Sequence, residues 1–162
     1  MQIQHIEIHE QKEYDGKPFP LCISPDPSSE VSRETFVEWM IAHREDLDDM
    51  LREYKAVFFR GFPVAGVNDF DAIVQASGYK DMPYVGGAAV RTQVTPRVFT
   101  SNESPPSEKI PFHHEMSQVP QPPTHLFFYC EIPTAAAGGE VRHISSLTHI
   151  CIILYFSTSN IS

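Results

Sequence analysis

The stretch best able to do chemistry is Pro111-Phe112-His113-His114-Glu115-Met116. On an extended backbone, side chains two residues apart point to the same face. His113 and Glu115 then converge while His114 faces away. One imidazole and one carboxylate on one side supply two of the three protein ligands of a 2-His-1-carboxylate triad, which leaves coordination positions open and suits non-haem Fe(II). The same triplet is also the pattern of a partly exposed strand edge, so spacing alone does not choose between them. Other local motifs do not compete, because a P-loop, a G-x-S-x-G elbow and H-E-x-x-H are all absent. Cys22, Cys130 and Cys151 lie far apart with no C-x-x-C pair, so neither a zinc knuckle nor a redox dithiol is written here. Free thiols suit a reducing compartment.

The elements that must position these residues belong to a chain of 162 residues, the size of one domain. Apolar residues make up 41% and charged ones 20%, a globular balance. The net charge of −9 argues against nucleic-acid binding, which needs clustered Lys and Arg. The longest apolar run, 150–156, is far short of the ~20 residues a spanning helix needs. The first ten residues show no basic and apolar signal pattern. These features set the expectation of a soluble cytoplasmic protein without membrane or nucleic-acid partners.

Residues 17–27 carry four prolines and read as an extended loop. Ser32 is a fitting N-cap for a helix whose apolar residues Phe36, Val37, Met40, Ile41, Leu47, Met50, Leu51 and Tyr54 recur at spacings of three and four. A break is expected at 44–46. Residues 56–62 read as a short buried strand, followed by a helix capped at Asn68 and ended by Gly78. Residues 91–100 and 110–119 read as strands flanking a polar loop. Residues 124–132 give the clearest strand, with His125, Phe127, Tyr129 and Glu131 on one face and Leu126, Phe128 and Cys130 on the other. Helices first and strands later make an α+β layout.

Several blocks then point one way. Phe58-Phe59-Arg60-Gly61-Phe62, Gly86-Gly87-Ala88-Ala89-Val90-Arg91, Val98-Phe99-Thr100-Ser101-Asn102-Glu103-Ser104-Pro105, Ile110 through Pro120, Leu126 through Glu131 and Gly138-Gly139-Glu140 stand in the order found in one family. Over residues 17–140 the chain resembles the clavaminate synthase-like branch of the TauD/TfdA dioxygenases. The resemblance implies a double-stranded β-helix (jelly roll) with N-terminal helices, Fe(II) as metal and 2-oxoglutarate as co-substrate. It implies hydroxylation or desaturation of a small organic substrate. It places His113 and Glu115 on the proximal metal ligands, leaves His114 as a packing or outer residue, and sets Asn102 and Glu103 where a loop could face substrate.

Downstream the chain departs from that family. Val141 stands where a Thr that contacts 2-oxoglutarate is expected, and Arg142, His143 and His149 match neither the distal His nor the carboxylate-clamping Arg. A jelly roll needs eight strands. Six more strands would take roughly 45–70 residues, and the chain beyond Glu115 reaches only the bottom of that range. The reading is therefore 1–140 as the N-terminal part of a dioxygenase domain, an incomplete jelly roll, and 141–162 as a divergent tail. The chain is expected to be dioxygenase-like by ancestry and inactive as it stands; the alternative is a non-catalytic truncated isoform or pseudoenzyme acting, if at all, as a binding module. A rebuilt zinc site using His143 or His149 is a third reading. Strand 124–132 would be short of partners and the 150–156 run prone to self-association through the open sheet edge, unless the tail covers that edge as a substitute strand.

Overall fold

The computed structural model describes residues 1–9, 11–87, 90–101, 111, 113–131 and 150–155. Four short strands come first: β1 (Ile3–His5), β2 (Lys12–Tyr14), β3 (Lys17–Phe19) and β4 (Leu21–Pro25). Helices α1 (Arg33–Ala42) and α2 (Arg44–Tyr54) lead to β5 (Ala56–Arg60), then α3 (Val67–Ser77), β6 (His125–Cys130) and β7 (Ile150–Tyr155). Strands β2 and β3 form a separate antiparallel hairpin. The other five make one sheet in the order β1-β4-β5-β7-β6, with β1 antiparallel to β4 and every other neighbour parallel.

Parallel neighbours need crossovers, and α1 with α2 supplies the one from β4 to β5. Leu21, Cys22 and Ile23 are all buried, as are Ala56, Val57 and Phe59. Burial of consecutive residues, continuous over 21–23 and at 56–57, marks strands covered on both faces. The helices contribute Phe36, Trp39, Met40, Leu47, Leu51, Phe70 and Ile73 to the same core. Phe36, Phe59 and Phe62 form its aromatic centre, with the Phe36 and Phe62 rings 4.3 Å apart.

Ser32 caps α1 as its sequence suggests: the Thr35 amide donates to Ser32 Oγ at 3.1 Å, and the Ser32 amide donates to Thr35 Oγ1 at 2.9 Å. The helical run breaks at His43, whose ring stacks on Trp39 and whose Nδ1 sits 2.9 Å from the Trp39 carbonyl. Asn68 is not the cap of α3. The cap position is Gly66, two residues earlier, so the helix starts at Val67, and Asp69 Oδ2 accepts from the Ala65 amide at 3.0 Å.

Other expectations need correction. Residues 17–27 are not a loop, since they hold β3 and β4. Residues 91–100 form only one bridge, Gln93 with Phe99, closed by Val94 donating to Val98 and Thr100 donating to Thr92. The mixed helix-and-strand composition is as expected, but the described residues form a mainly parallel open sheet rather than a jelly roll. The tail segment 150–155 lies between β5 and β6, pairing along one edge of each. The 140/141 boundary itself falls outside the described residues. Among them, no helix is long and apolar enough to cross a membrane.

Candidate active site

A cleft of about 970 Å³ opens between α3, the 79–101 segment, the 115–124 segment and β6. That volume is in the range of small-molecule sites. Its floor comes from β6, whose alternation aims His125, Phe127 and Tyr129 at α3 and Tyr79. The Tyr79 ring stacks on His125 with centroids 3.9 Å apart, and Phe70 stacks on Tyr129. Phe128, on the opposite face, is exposed. Tyr79 donates its hydroxyl proton to Asp48. Burial, reinforced by that carboxylate, pushes the Tyr79 phenol well above its usual range. Burial also pulls the His125 imidazole below its ordinary value, against a weaker opposing pull from Asp48.

Glu115 lines one wall. The strand expected at 110–119 is absent among the described residues 113–119. Residues 115–118 turn, with Ser117 donating to the His114 carbonyl and Val119 to that of Met116. Pro111 and Pro120 withhold amide protons a strand ladder would use. Met116 takes a φ of +52°, a left-handed conformation that costs a non-glycine residue about 1–2 kcal/mol. Burial of its side chain offsets that cost.

The convergence of His113 and Glu115 survives the turn. His113 Nε2 lies 3.7 Å from Glu115 Oε2. Its Nδ1 is 2.8 Å from the Pro111 carbonyl, which accepts only if Nδ1 carries the proton. That bond leaves Nε2 in the neutral ring as the lone-pair nitrogen, the orientation a metal-ligating His adopts. Glu115 is largely buried, His113 half-exposed and His114 exposed. The donors fit a divalent cation in kind but are incomplete in number: no group of three His, Cys, Asp or Glu side chains is gathered among the described residues. Asn102, Glu103, Val141, Arg142, His143 and His149 lie outside the described residues.

Sequence reasoning gave no role to Arg91, which the fold brings to Glu115 from 24 positions upstream. Arg91 Nη2 donates to Glu115 Oε1 at 3.2 Å. Nη1 donates to the carbonyls of Thr100, at 3.0 Å, and Ser101. The guanidinium also sits over the Tyr84 ring, 4.9 Å from its centre. A separation of 24 residues leaves no local periodicity to read. The segment that carries Arg91 is tied to α3 and the turn after it by Arg97, which pairs with Asp71 and Asp81.

A carboxylate and an imidazole thus converge beside the cleft. Residues 15–148 match the family described as taurine catabolism dioxygenase TauD, TfdA family. The chain belongs to that family, whose members typically use Fe(II) and 2-oxoglutarate. It is 51% identical over 148 residues to a clavaminate synthase-like protein of Arabidopsis thaliana, an alignment spanning 88% of this chain and 44% of that protein. It is 29% identical over 94 residues to the dapdiamide synthesis protein DdaC of Enterobacter agglomerans, covering 58% of this chain and 28% of that one. The chain thus spans less than half the length of the curated relatives it matches.

Proposed function

We propose that the cleft is the part of an Fe(II)/2-oxoglutarate dioxygenase active site that carries the His-x-Glu ligands, and that the site oxidises a small organic substrate. The observation that carries this reading is the His113–Glu115 pair, with Nδ1 tied to a backbone carbonyl and Nε2 turned toward the carboxylate. His113 and Glu115 would hold the metal, which with 2-oxoglutarate supplies oxygen activation when bound. The protein's own contribution is positional: the Pro111 carbonyl fixes the imidazole, and the cleft walls exclude water from one side of the carboxylate. The double-stranded β-helix is the fold we assign to the complete domain of such an enzyme. The residues here contribute its N-terminal helices and early strands.

A second reading, a non-catalytic binding module, is favoured by one specific observation: only two donors converge among the described residues. Both readings predict that the 162-residue polypeptide binds Co(II) or Zn(II) weakly, and that His113→Ala abolishes this. They separate on succinate release from 2-oxoglutarate with iron and ascorbate. No turnover by this polypeptide supports the binding module for the chain as it stands. Turnover lost in His113→Ala supports a complete site. Metal binding unchanged in His113→Ala would sink both.

A further inference from the structure

Arg91 is a largely buried cation on the cleft wall, and among the described residues its carboxylate partner is Glu115. A guanidinium presents five donors, and two of its bonds here go to the Thr100 and Ser101 carbonyls, which carry no charge. Glu115 therefore neutralises Arg91. The same carboxylate faces His113 through its other oxygen, Oε2, while Oε1 receives Arg91. One carboxylate is shared between a fixed cation and the position where a metal would sit. A cation held by His113 and Oε2 takes up the carboxylate's negative charge and leaves Arg91 charged, partly desolvated and without a full countercharge. A buried charge in that state is costly unless another anion takes the place.

We propose that Arg91 is a latent binding group for a carboxylate-bearing ligand, masked by Glu115 and unmasked when Glu115 is neutralised. The planar fork suits a carboxylate, and charge-assisted bonds of this type are the strong ones. Tyr84, Phe99, Phe127 and Val119 line the cleft around it, so the ligand class is a carboxylate attached to an apolar or aromatic body. The physiological trigger, a metal ion on His113 and Glu115, rests on the function proposed above, whereas the masking of Arg91 does not. Metal and ligand carboxylate then bind with positive coupling, each raising the affinity of the other by the same factor.

The test uses phenylacetate as probe and calorimetric titration as readout. In Glu115→Gln, without metal, phenylacetate should bind roughly ten-fold or more tightly than in the unaltered protein, the size of one charge-assisted hydrogen bond. The gain should vanish in the double variant Glu115→Gln, Arg91→Gln, and neutral phenylacetamide should show none. Glu115→Ala repeats the experiment without an amide that could still accept from Arg91. Circular dichroism melts establish that each variant is folded. Equal phenylacetate affinity in the unaltered protein and both Glu115 variants overturns the proposal, as does a gain that persists without Arg91. A separate arm adds Zn(II) to the unaltered protein. A rise in phenylacetate affinity that needs both His113 and Arg91 supports the metal as trigger. If the Glu115 arm succeeds and zinc has no effect, Arg91 stands as the binding group and the metal reading falls.

Discussion

Replacing Arg97 with Gln removes the cation that ties the Arg91-bearing segment to α3. Arg97 Nη1 lies 3.2 Å from Asp71 Oδ2, and its Nε lies 3.1 Å from Asp81 Oδ2. The side chains of Arg97 and Asp71 are 21% and 18% exposed, against 53% for Asp81. Exposed ion pairs contribute at most about 1 kcal/mol, and breaking a fully buried one costs about 3–5 kcal/mol. The Arg97–Asp71 pair falls between these limits. Thr95, donating to Asp71 Oδ1 at 2.6 Å, still satisfies one carboxylate oxygen after the change. A loss of about 1.5–2.5 kcal/mol is expected between those limits, with the half-exposed Asp81 a minor part. At ~2–4 °C per kcal/mol for a chain of this length, the melting temperature should fall by about 3–10 °C. The double variant with Asp71→Asn should lose less than the two single variants together, by about 1 kcal/mol or more, because the orphaned carboxylate has gone too. Hydrogen exchange should show the Thr100 and Val94 amides, bonded to Thr92 and Val98, losing protection before the amides of α1. Coupling below about 0.3 kcal/mol, within ordinary additivity, would mean the pair does not hold the segment, and the account of how Arg91 is positioned would fail.

Two further outcomes are expected. His125 has its imidazole pulled below its ordinary value of 6.5 by burial, so the unfolded chain takes up this proton first as the pH falls. Its contribution to stability is full above pH 6.5 and is lost as the pH drops toward the folded value. The melting temperature should therefore fall more between about pH 7.5 and 5.5 in the unaltered protein than in His125→Phe, which keeps a ring against Tyr79; equal slopes would contradict this. Ending the chain after residue 149 removes the strand that pairs with both β5 and β6, and the shortened protein should lose its cooperative melt and elute as larger species through the bared strand edges. An unchanged melt with a monomeric elution would show that β7 carries no weight in the sheet.

The helices were legible because their signals are local. Ser32 and Thr35 sit three apart, the apolar residues of α1 and α2 keep helical spacing, and Gly78 ends α3. Gly78 has a φ of +81°, and a Cβ there would lie 2.7 Å from the Arg44 side chain, whose Nε donates to the Ala76 carbonyl. The positive φ is what calls for glycine, while the contact asks only the Arg44 guanidinium to shift. The faces of β6 were legible for the same kind of reason, since a period of two needs only six residues to show itself. The parallel pairings were not. Whether β4 lies beside β5, or β7 between β5 and β6, depends on crossovers that no short window contains. The 110–119 misreading has a different source: Phe, His and Val suit a strand, but the two prolines and the left-handed Met116 decide the backbone.

The site divides along the same line. His113 and Glu115 are two residues apart, so their convergence needs no particular partner strand and persists through a turn where a strand was expected. Arg91 reaches Glu115 from a segment that folds back at the Gln93–Phe99 bridge and that Arg97 ties to α3. The donor pair is thus a property of local spacing, and its charge balance is a property of tertiary structure. A motif can announce which atoms could bind a cation. It cannot announce that one of its two donors is already committed to an arginine, and that commitment is what would make cation and anion bind together here.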